Sequence, residues 1–220
     1  MSLDTILAEF HLHTGASPDS LVKIEPLLAA CVRKGIGKLA ITDHGSMQGA
    51  FEAKAMDPQR VILAEEIETT EGEILGYFMS SEVPQGLRPR EVVDRLRDQG
   101  AFISIAHPFD SYRGNGWNVS DLEALLPLVD GIEVFNARCV RPRFNEQALS
   151  FAQQHEKLQL AGSDAHSIFE LGHACLLLPD FNSAEEMRAA VGKAKVVGKL
   201  SGSYVHLIST YAKFAKRHFA

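Results

Sequence analysis

The run Ile6-Leu7-Ala8-Glu9-Phe10-His11-Leu12-His13 decides how the rest of the chain is read: an apolar strand ending on two histidines spaced i, i+2. Residues two apart in an extended strand point the same way, so His11 and His13 project together. The pattern recurs downstream. Lys38 to Ile41 is strand-like and leads into Thr42-Asp43-His44. Ala101 to Ala106 precedes His107, and Leu158 to Ala161 precedes Gly162-Ser163-Asp164-Ala165-His166. Five of the nine histidines therefore follow the carboxyl end of an apolar run, which is the face on which α/β barrels build their sites. Any one of them alone would be an ordinary core or surface histidine. Five at equivalent positions point to metal ligation, with His11/His13 and Asp164/His166 as two strand-end pairs able to surround one centre.

Between these strands the apolar spacing turns helical. Leu21, Ile24, Leu28, Cys31 and Val32 recur at helical intervals up to Gly35. Ser46 to Met56, Pro89 to Gln99, Asn145 to His155 and Leu207 to His218 also predict helices. Ser120-Asp121-Leu122-Glu123 and Ser183-Ala184-Glu185-Glu186 match capping boxes, the second opening a helix towards Val191. Further strands are expected at Val61 to Ala64, Ile74 to Met79, Gly131 to Phe135 and Ala174 to Leu178. Thr69-Thr70-Glu71-Gly72 resembles a hairpin turn, so the strand leading to Tyr77 is expected to pair antiparallel. The alternation predicts an α/β fold with a mostly parallel, barrel-like sheet, and no linker divides residues 1–220 into more than a single domain.

Composition narrows the function. Hydrophobic residues make up 45% and charged residues 23%, as in ordinary soluble globular chains. No apolar run approaches the ~18 residues that suggest a membrane span. Met1-Ser2-Leu3-Asp4 lacks a secretory n-region and h-region. Cys31, Cys139 and Cys175 form no CxxC site and no disulfide framework, and are read as buried small apolar residues. A cytoplasmic location is expected. The net charge of −6 argues against a broad nucleic-acid surface. It leaves room for a small phosphorylated substrate, including a nucleotide, because bound cations reverse the local field.

Carboxylates extend the set. Glu65 and Glu66 follow Val61 to Ala64, and adjacent strand residues face opposite sides, so one of them is expected to face the metals. Glu73 alone would be a hairpin surface residue, and Asp19 alone a helix cap. The order His11-Leu12-His13, Thr42-Asp43-His44, a strand-end Glu, Ala106-His107-Pro108 and Gly162-Ser163-Asp164-Ala165-His166 resembles the PHP (polymerase and histidinol phosphatase) superfamily.

That resemblance implies a distorted TIM-like β/α barrel of about seven strands, holding two or three divalent metal ions at its carboxyl end. It implies His11, His13, Asp19, His44, Glu66, His107, Asp164 and His166 as ligands, with Asp43 just behind them. Glu66 is chosen over Glu65 because the family's acid precedes an apolar residue, here Ile67. Glu73 stands where many members have a histidine, and is expected to ligate or bridge a metal. Glu9 stands where aspartate is frequent. A histidine and carboxylate set without thiolate suits Zn, Mn or Fe.

The implied chemistry is hydrolysis of a phosphate ester (a small phosphomonoester, a nucleotide or a short oligonucleotide) by a metal-bridging hydroxide. His11, His13, His44, Asp164 and His166 would form the catalytic centre. Arg113 and Arg138 lie beyond strands at the same face and are expected to bind phosphate, or else to be exposed loop arginines. His206 is a weaker candidate for phosphate contact or leaving-group protonation. His173 reads as structural, and His155 and His218 as solvated helix residues. Two other readings compete: an amidohydrolase-type metal hydrolase, and a non-catalytic, metal-stabilised regulatory PHP domain.

Overall fold

The structure, a computed structural model, describes residues 5–113 and 116–219; Met1 to Asp4 lie outside the described residues. The first half runs β1 (Thr5–Glu9), α1 (Ile24–Lys34), β2 (Ile36–Ile41), α2 (Gln48–Met56), β3 (Val61–Glu68), β4 (Glu73–Tyr77) and α3 (Pro89–Asp98). Next come β5 (Phe102–Ile105), α4 (Val119–Leu125), β6 (Gly131–Asn136), α5 (Pro142–Gln154) and β7 (Leu158–Gly162). The chain closes with β8 (Ala174–Pro179), α6 (Ala184–Val191), β9 (Lys195–Gly198) and α7 (Val205–Phe219).

The strands form one sheet in the order β7-β6-β5-β4-β3-β2-β1-β8-β9. It curls until the segments beyond β1 and β7 meet: Leu12 bridges Ala165, Asp164 N donates to His11 O at 2.7 Å, and His13 N to Ala165 O at 2.9 Å. These are the segments that carry His11, His13, Asp164 and His166. The near-closure of the barrel and the assembly of the site are therefore one event.

The strand count is nine among the described residues, against about seven expected. β9 escapes sequence reading because Lys195-Val196-Val197-Gly198 is short, lysine-flanked and exposed; it pairs only along β8. The sheet is mixed rather than mostly parallel. β1–β2, β2–β3, β5–β6 and β6–β7 are parallel, whereas β1–β8, β3–β4, β4–β5 and β8–β9 are antiparallel. The expected β3–β4 turn and the antiparallel placement of β4 hold, with Glu68 opposite Glu73.

Two helix starts also differ. α4 opens two residues early, capped by the Asn118 side chain on Asp121 N rather than by Ser120. α5 begins at Pro142, whose missing N–H costs nothing at a first helical position. At α6 the Ser183 side chain does cap Glu186 N, but Glu186 returns its bond to Asn182 N.

Period two decides what fills the barrel. Ala8, Ile62, Ala64, Leu75, Tyr77, Phe102 and Leu160 face one core, and Phe181 and Met187 plug it from α6 and the loop before it. Phe10 stacks on Phe181 at 5.9 Å and meets Tyr77 edge-on at 5.7 Å, a dry aromatic floor. The outward residues Leu63, Ile67, Ile74, Ile103, Ile105 and Ile132 pack against α3 and its neighbours instead. Continuing the inward rows upward, β3 reaches Glu66, β4 begins at Glu73 and β6 carries Glu133. Three carboxylates thus stand above an apolar floor.

Candidate metal centre

Glu66 is the hub. Its Oε2 lies 2.9 Å from His11 Nε2, 3.3 Å from His13 Nε2 and 3.4 Å from His44 Nε2, while Oε1 lies 2.9 Å from His107 Nε2. Asp164 Oδ1 lies 3.2 Å from His13 Nε2. Asp19 Oδ2 lies 3.2 Å from His166 Nε2 and 3.8 Å from His44 Nε2. Glu73, reaching in from β4, lies 3.4 Å from His107 Nε2 and 3.9 Å from His44 Nδ1. The nine residues named as ligand candidates from the sequence are therefore brought to one place.

Within the cluster, carboxylates and imidazoles shift one another strongly. Burial alone would raise Glu66, but the His11 and His44 charges and the hydrogen bonds from His107 and His11 hold it well below the usual carboxylate range. Burial alone would depress His13, yet the Asp164 and Glu66 carboxylates beside it lift it to about 10. His166 is pushed down to about 4 by burial and by the neighbouring His13 charge.

The donors fit divalent cations. Both ring nitrogens of His13, and Asp164 Oδ1, are buried without any hydrogen-bond partner. Buried polar atoms are rarely left so. A cation beside His13 Nε2 and Asp164 Oδ1, which lie 3.2 Å apart, would satisfy both, and imidazole nitrogen with carboxylate oxygen is a donor set for Zn, Mn or Fe. Four overlapping groups are close enough to share an ion: His13–Asp19–His44–His166, His11–His13–Glu66, His44–Glu66–Glu73 and His11–His107–Glu133. His107 (φ 22°) and Asp164 (φ 53°) hold left-handed backbone that non-glycine residues avoid, which is where strained functional residues concentrate.

Arg113 lies against the cluster, with its guanidinium hydrogen-bonded to Asp164 Oδ2 and 3.1 Å from His107 Nε2. Arg138, the other expected phosphate binder, has its main contacts elsewhere. It is buried, donates to Val205 O (2.8 Å) and Ser209 Oγ (3.0 Å), lies against His166 Nδ1, and pairs with Glu170 at 3.3 Å. Two of these bonds tie it to α7, and its side chain also lines the cavity over the cluster. His206 lines the cavity that opens over the cluster, about 450 Å³ in volume, together with Tyr112, Arg113, Ser209 and Lys213.

Asp43 stands behind the ligands and accepts from Thr14, the residue after His13, at 2.5 Å from N and 2.6 Å from Oγ1. Glu9 stays out of the cluster and accepts from Ser163 N (2.8 Å) and Gly172 N (3.1 Å), stitching β1 to the loops beyond β7. Sequence reasoning missed Glu133, Asn136 and Lys213, the last 3.6 Å from Asp19. Glu133 carried a signal: one charge inside the apolar run Gly131-Ile132-Glu133-Val134-Phe135.

Glu65 faces away, accepting from Val83 N (2.9 Å) and Gln85 Nε2 (3.1 Å). Burial pushes its carboxyl up to about 7. The folded protein then holds a proton that the unfolded chain releases near pH 4.5, so stability falls as pH rises from about 4.5 to 7. Glu65→Gln should flatten that slope. Denaturant titrations at pH 5 and 8 should show wild type losing up to about 3 kcal/mol relative to the variant. Parallel pH curves would contradict the assignment.

The α/β barrel with an imidazole and carboxylate cluster at its carboxyl end matches known proteins. Residues 9–83 match the PHP domain family model, and residues 142–196 match the model described as PHP-associated. An uncharacterized protein of Methanocaldococcus jannaschii is 36% identical over 177 residues, covering 79% of this chain and 71% of that one. The chain belongs to the PHP family.

Two solved structures share the fold. One is a two-domain protein containing a predicted PHP-like metal-dependent phosphoesterase from Bacteroides vulgatus, with TM-score 0.73, 16% identity, and coverage of 95% of this chain and 70% of that one. The other is an amidohydrolase from Chromobacterium violaceum with bound sulfate and no metal, with TM-score 0.60, 14% identity, and coverage of 76% and 90%. No helix among the described residues is long and apolar enough to cross a membrane.

Proposed function

We propose that this chain hydrolyses phosphate esters, using two or three divalent ions held by His11, His13, Asp19, His44, Glu66, Glu73, His107, Asp164 and His166. The observation that carries the reading is the orphaned pair His13 and Asp164, buried at the centre of a ring of further donors. Divalent ions supply a nucleophile from water at neutral pH and polarise a phosphoryl oxygen. The chain supplies the rest. Glu66 and Asp164 set the charge of the site, and Asp19 and His166 close its rim below α7. Arg113 presents a guanidinium beside Asp164, placed to offset charge on a transferring phosphoryl group. A cavity of about 450 Å³ suits a small phosphomonoester, a nucleotide or the end of a short oligonucleotide.

The amidohydrolase reading is weaker because the middle strand β3 carries Glu65-Glu66 towards its carboxyl end, where that class often places a carbamylated lysine. A panel of phosphomonoesters, phosphodiesters and cyclic amides, assayed with Zn, Mn and Fe, tests the proposal. Turnover of a phosphate ester is expected. Cyclic-amide turnover alone would favour the amidohydrolase, and metal binding without turnover would favour a regulatory domain.

Glu73 gives a narrower test. Its two oxygens reach towards His107 and His44, so it is placed to bridge ions that a single imidazole nitrogen would serve less well. Glu73→Gln should lower the occupancy of one ion while leaving the circular dichroism spectrum intact, and Glu73→His should restore it with a shifted metal preference. Unchanged metal content and activity in Glu73→Ala would show an ordinary surface carboxylate.

A further inference from the structure

We infer that Glu133 is a positioning residue: one buried carboxylate that sets the tautomer of His11 and the backbone of His107, so that both rings turn Nε2 to the ion site. The inference rests on the metal-binding reading above. Glu133 stands on the inward face of β6 and is 1% exposed. Its Oε1 lies 2.9 Å from His11 Nδ1. Its Oε2 accepts from His107 N at 3.0 Å and from Asn136 Nδ2 at 3.0 Å. The same Asn136 amide reaches Asp164 Oδ2 at 3.2 Å. Glu133 thus ties together residues beyond β1 and beyond β5, and its partner Asn136 extends the network to Asp164 beyond β7.

The chemistry follows from acceptor counting. An ionised carboxylate only accepts hydrogen bonds, so the His11 proton beside it belongs on Nδ1, and the Nε2 lone pair is left free. That Nε2 is the atom 2.9 Å from Glu66. Outer partners of this kind fix the orientation and basicity of a metal-binding imidazole. For His107 the hold is on the main chain, because its N–H bond to Glu133 anchors a residue at φ 22° whose Nε2 also meets Glu66 at 2.9 Å. Direct ligation by Glu133 is the rival use, since it stands close to His11 and His107. Both of its oxygens, however, already face hydrogens, one on the His11 ring and one on the His107 main chain.

Glutamine cannot reproduce this. It offers one acceptor and one donor where two acceptors are needed. With its oxygen on His107 N–H, its NH₂ faces His11 Nδ1 and drives the ring proton to Nε2, closing the lone pair. Turned over, its NH₂ faces the His107 N–H, donor against donor.

The test uses full-length protein labelled with ¹⁵N and loaded with zinc. Long-range ¹H–¹⁵N spectra should show His11 protonated at Nδ1 and zinc-bound at Nε2. Competition with a chromophoric chelator should show Glu133→Gln weakening one zinc site by roughly 10–100-fold, with loss of the His11 Nδ1–H signal and an unchanged far-ultraviolet spectrum. Glu133→Asp, which keeps both acceptors, should recover part of the affinity. Wild-type zinc affinity in Glu133→Gln, an unprotonated His11 Nδ1 in wild type, or an ion bonded to Glu133 would each overturn the inference. If the variant does not fold, the wild-type spectrum decides alone. Wild-type protein that takes up no zinc, manganese or iron would instead overturn the functional reading, and this inference with it.

Discussion

Glu66→Gln should strip at least one ion from the centre and cut phosphate-ester hydrolysis by on the order of 100-fold or more, the upper end of what losing a mere outer partner costs. The size of the effect comes from geometry. Four imidazoles, His11, His13, His44 and His107, lie within 3.4 Å of its two oxygens. A carboxylate in that position can span two cations and carries a full negative charge. An amide carries none, and turns an NH₂ towards imidazole nitrogens that should be free to bind metal. Glu65→Gln, one residue away, is the control, because its oxygens belong to Val83 and Gln85. Metal content by elemental analysis and initial rates on the best phosphate ester check both. A larger loss at Glu65 than at Glu66 would reverse the assignment of the two faces of β3.

Gly162→Ala should be strongly destabilising. A Cβ at Gly162 would lie 2.2 Å from His11 Cβ, 2.8 Å from Glu133 Oε1 and 3.1 Å from His11 N. The first and last belong to the stem and main chain of a residue whose carbonyl already binds Asp164 N, so neither can swing aside. Overpacking of this kind costs about 1–3 kcal/mol and occasionally more, which in a chain of this length lowers the melting temperature by roughly 2–12 °C. Metal affinity should fall with it, because the displaced atoms carry the His11 ring and its Glu133 partner. Gly116→Ala, where a Cβ meets nothing within 4 Å, should melt like wild type. Equal melting temperatures for the two variants would mean that the barrel seam is looser than drawn.

Much of this was legible beforehand, and the reasons are specific. His11, His13, His44, His107 and Asp164 were visible because each follows an apolar run, and strand ends in a barrel converge. Alternation along the strand said only that one of Glu65 and Glu66 faces inward, and the family resemblance chose Glu66: Ile62, Ala64 and Glu66 share the inward face, while Leu63 and Ile67 lie outward beside Glu65. Direction and number of strands were less legible. A local pattern reports that Ala174–Pro179 is extended, but not that it runs antiparallel to β1. Four exposed residues such as Lys195–Gly198 carry no alternation to read.

Arg138 and Glu133 were hidden for the same physical reason. An arginine beyond a strand and a glutamate within one acquire their roles from partners far away in the chain. For Arg138 these are Val205 and Ser209 on α7, and for Glu133 they are His11 and His107.

The central claim is that the cluster is a metal centre, and anomalous diffraction from crystals of protein reconstituted with manganese or zinc tests it most directly. Two or three anomalous peaks are expected within bonding distance of Glu66, Asp164 and the imidazoles of His11, His13, His44, His107 and His166. A map with no peak there, and with these side chains bonded only to one another and to solvent, would contradict it.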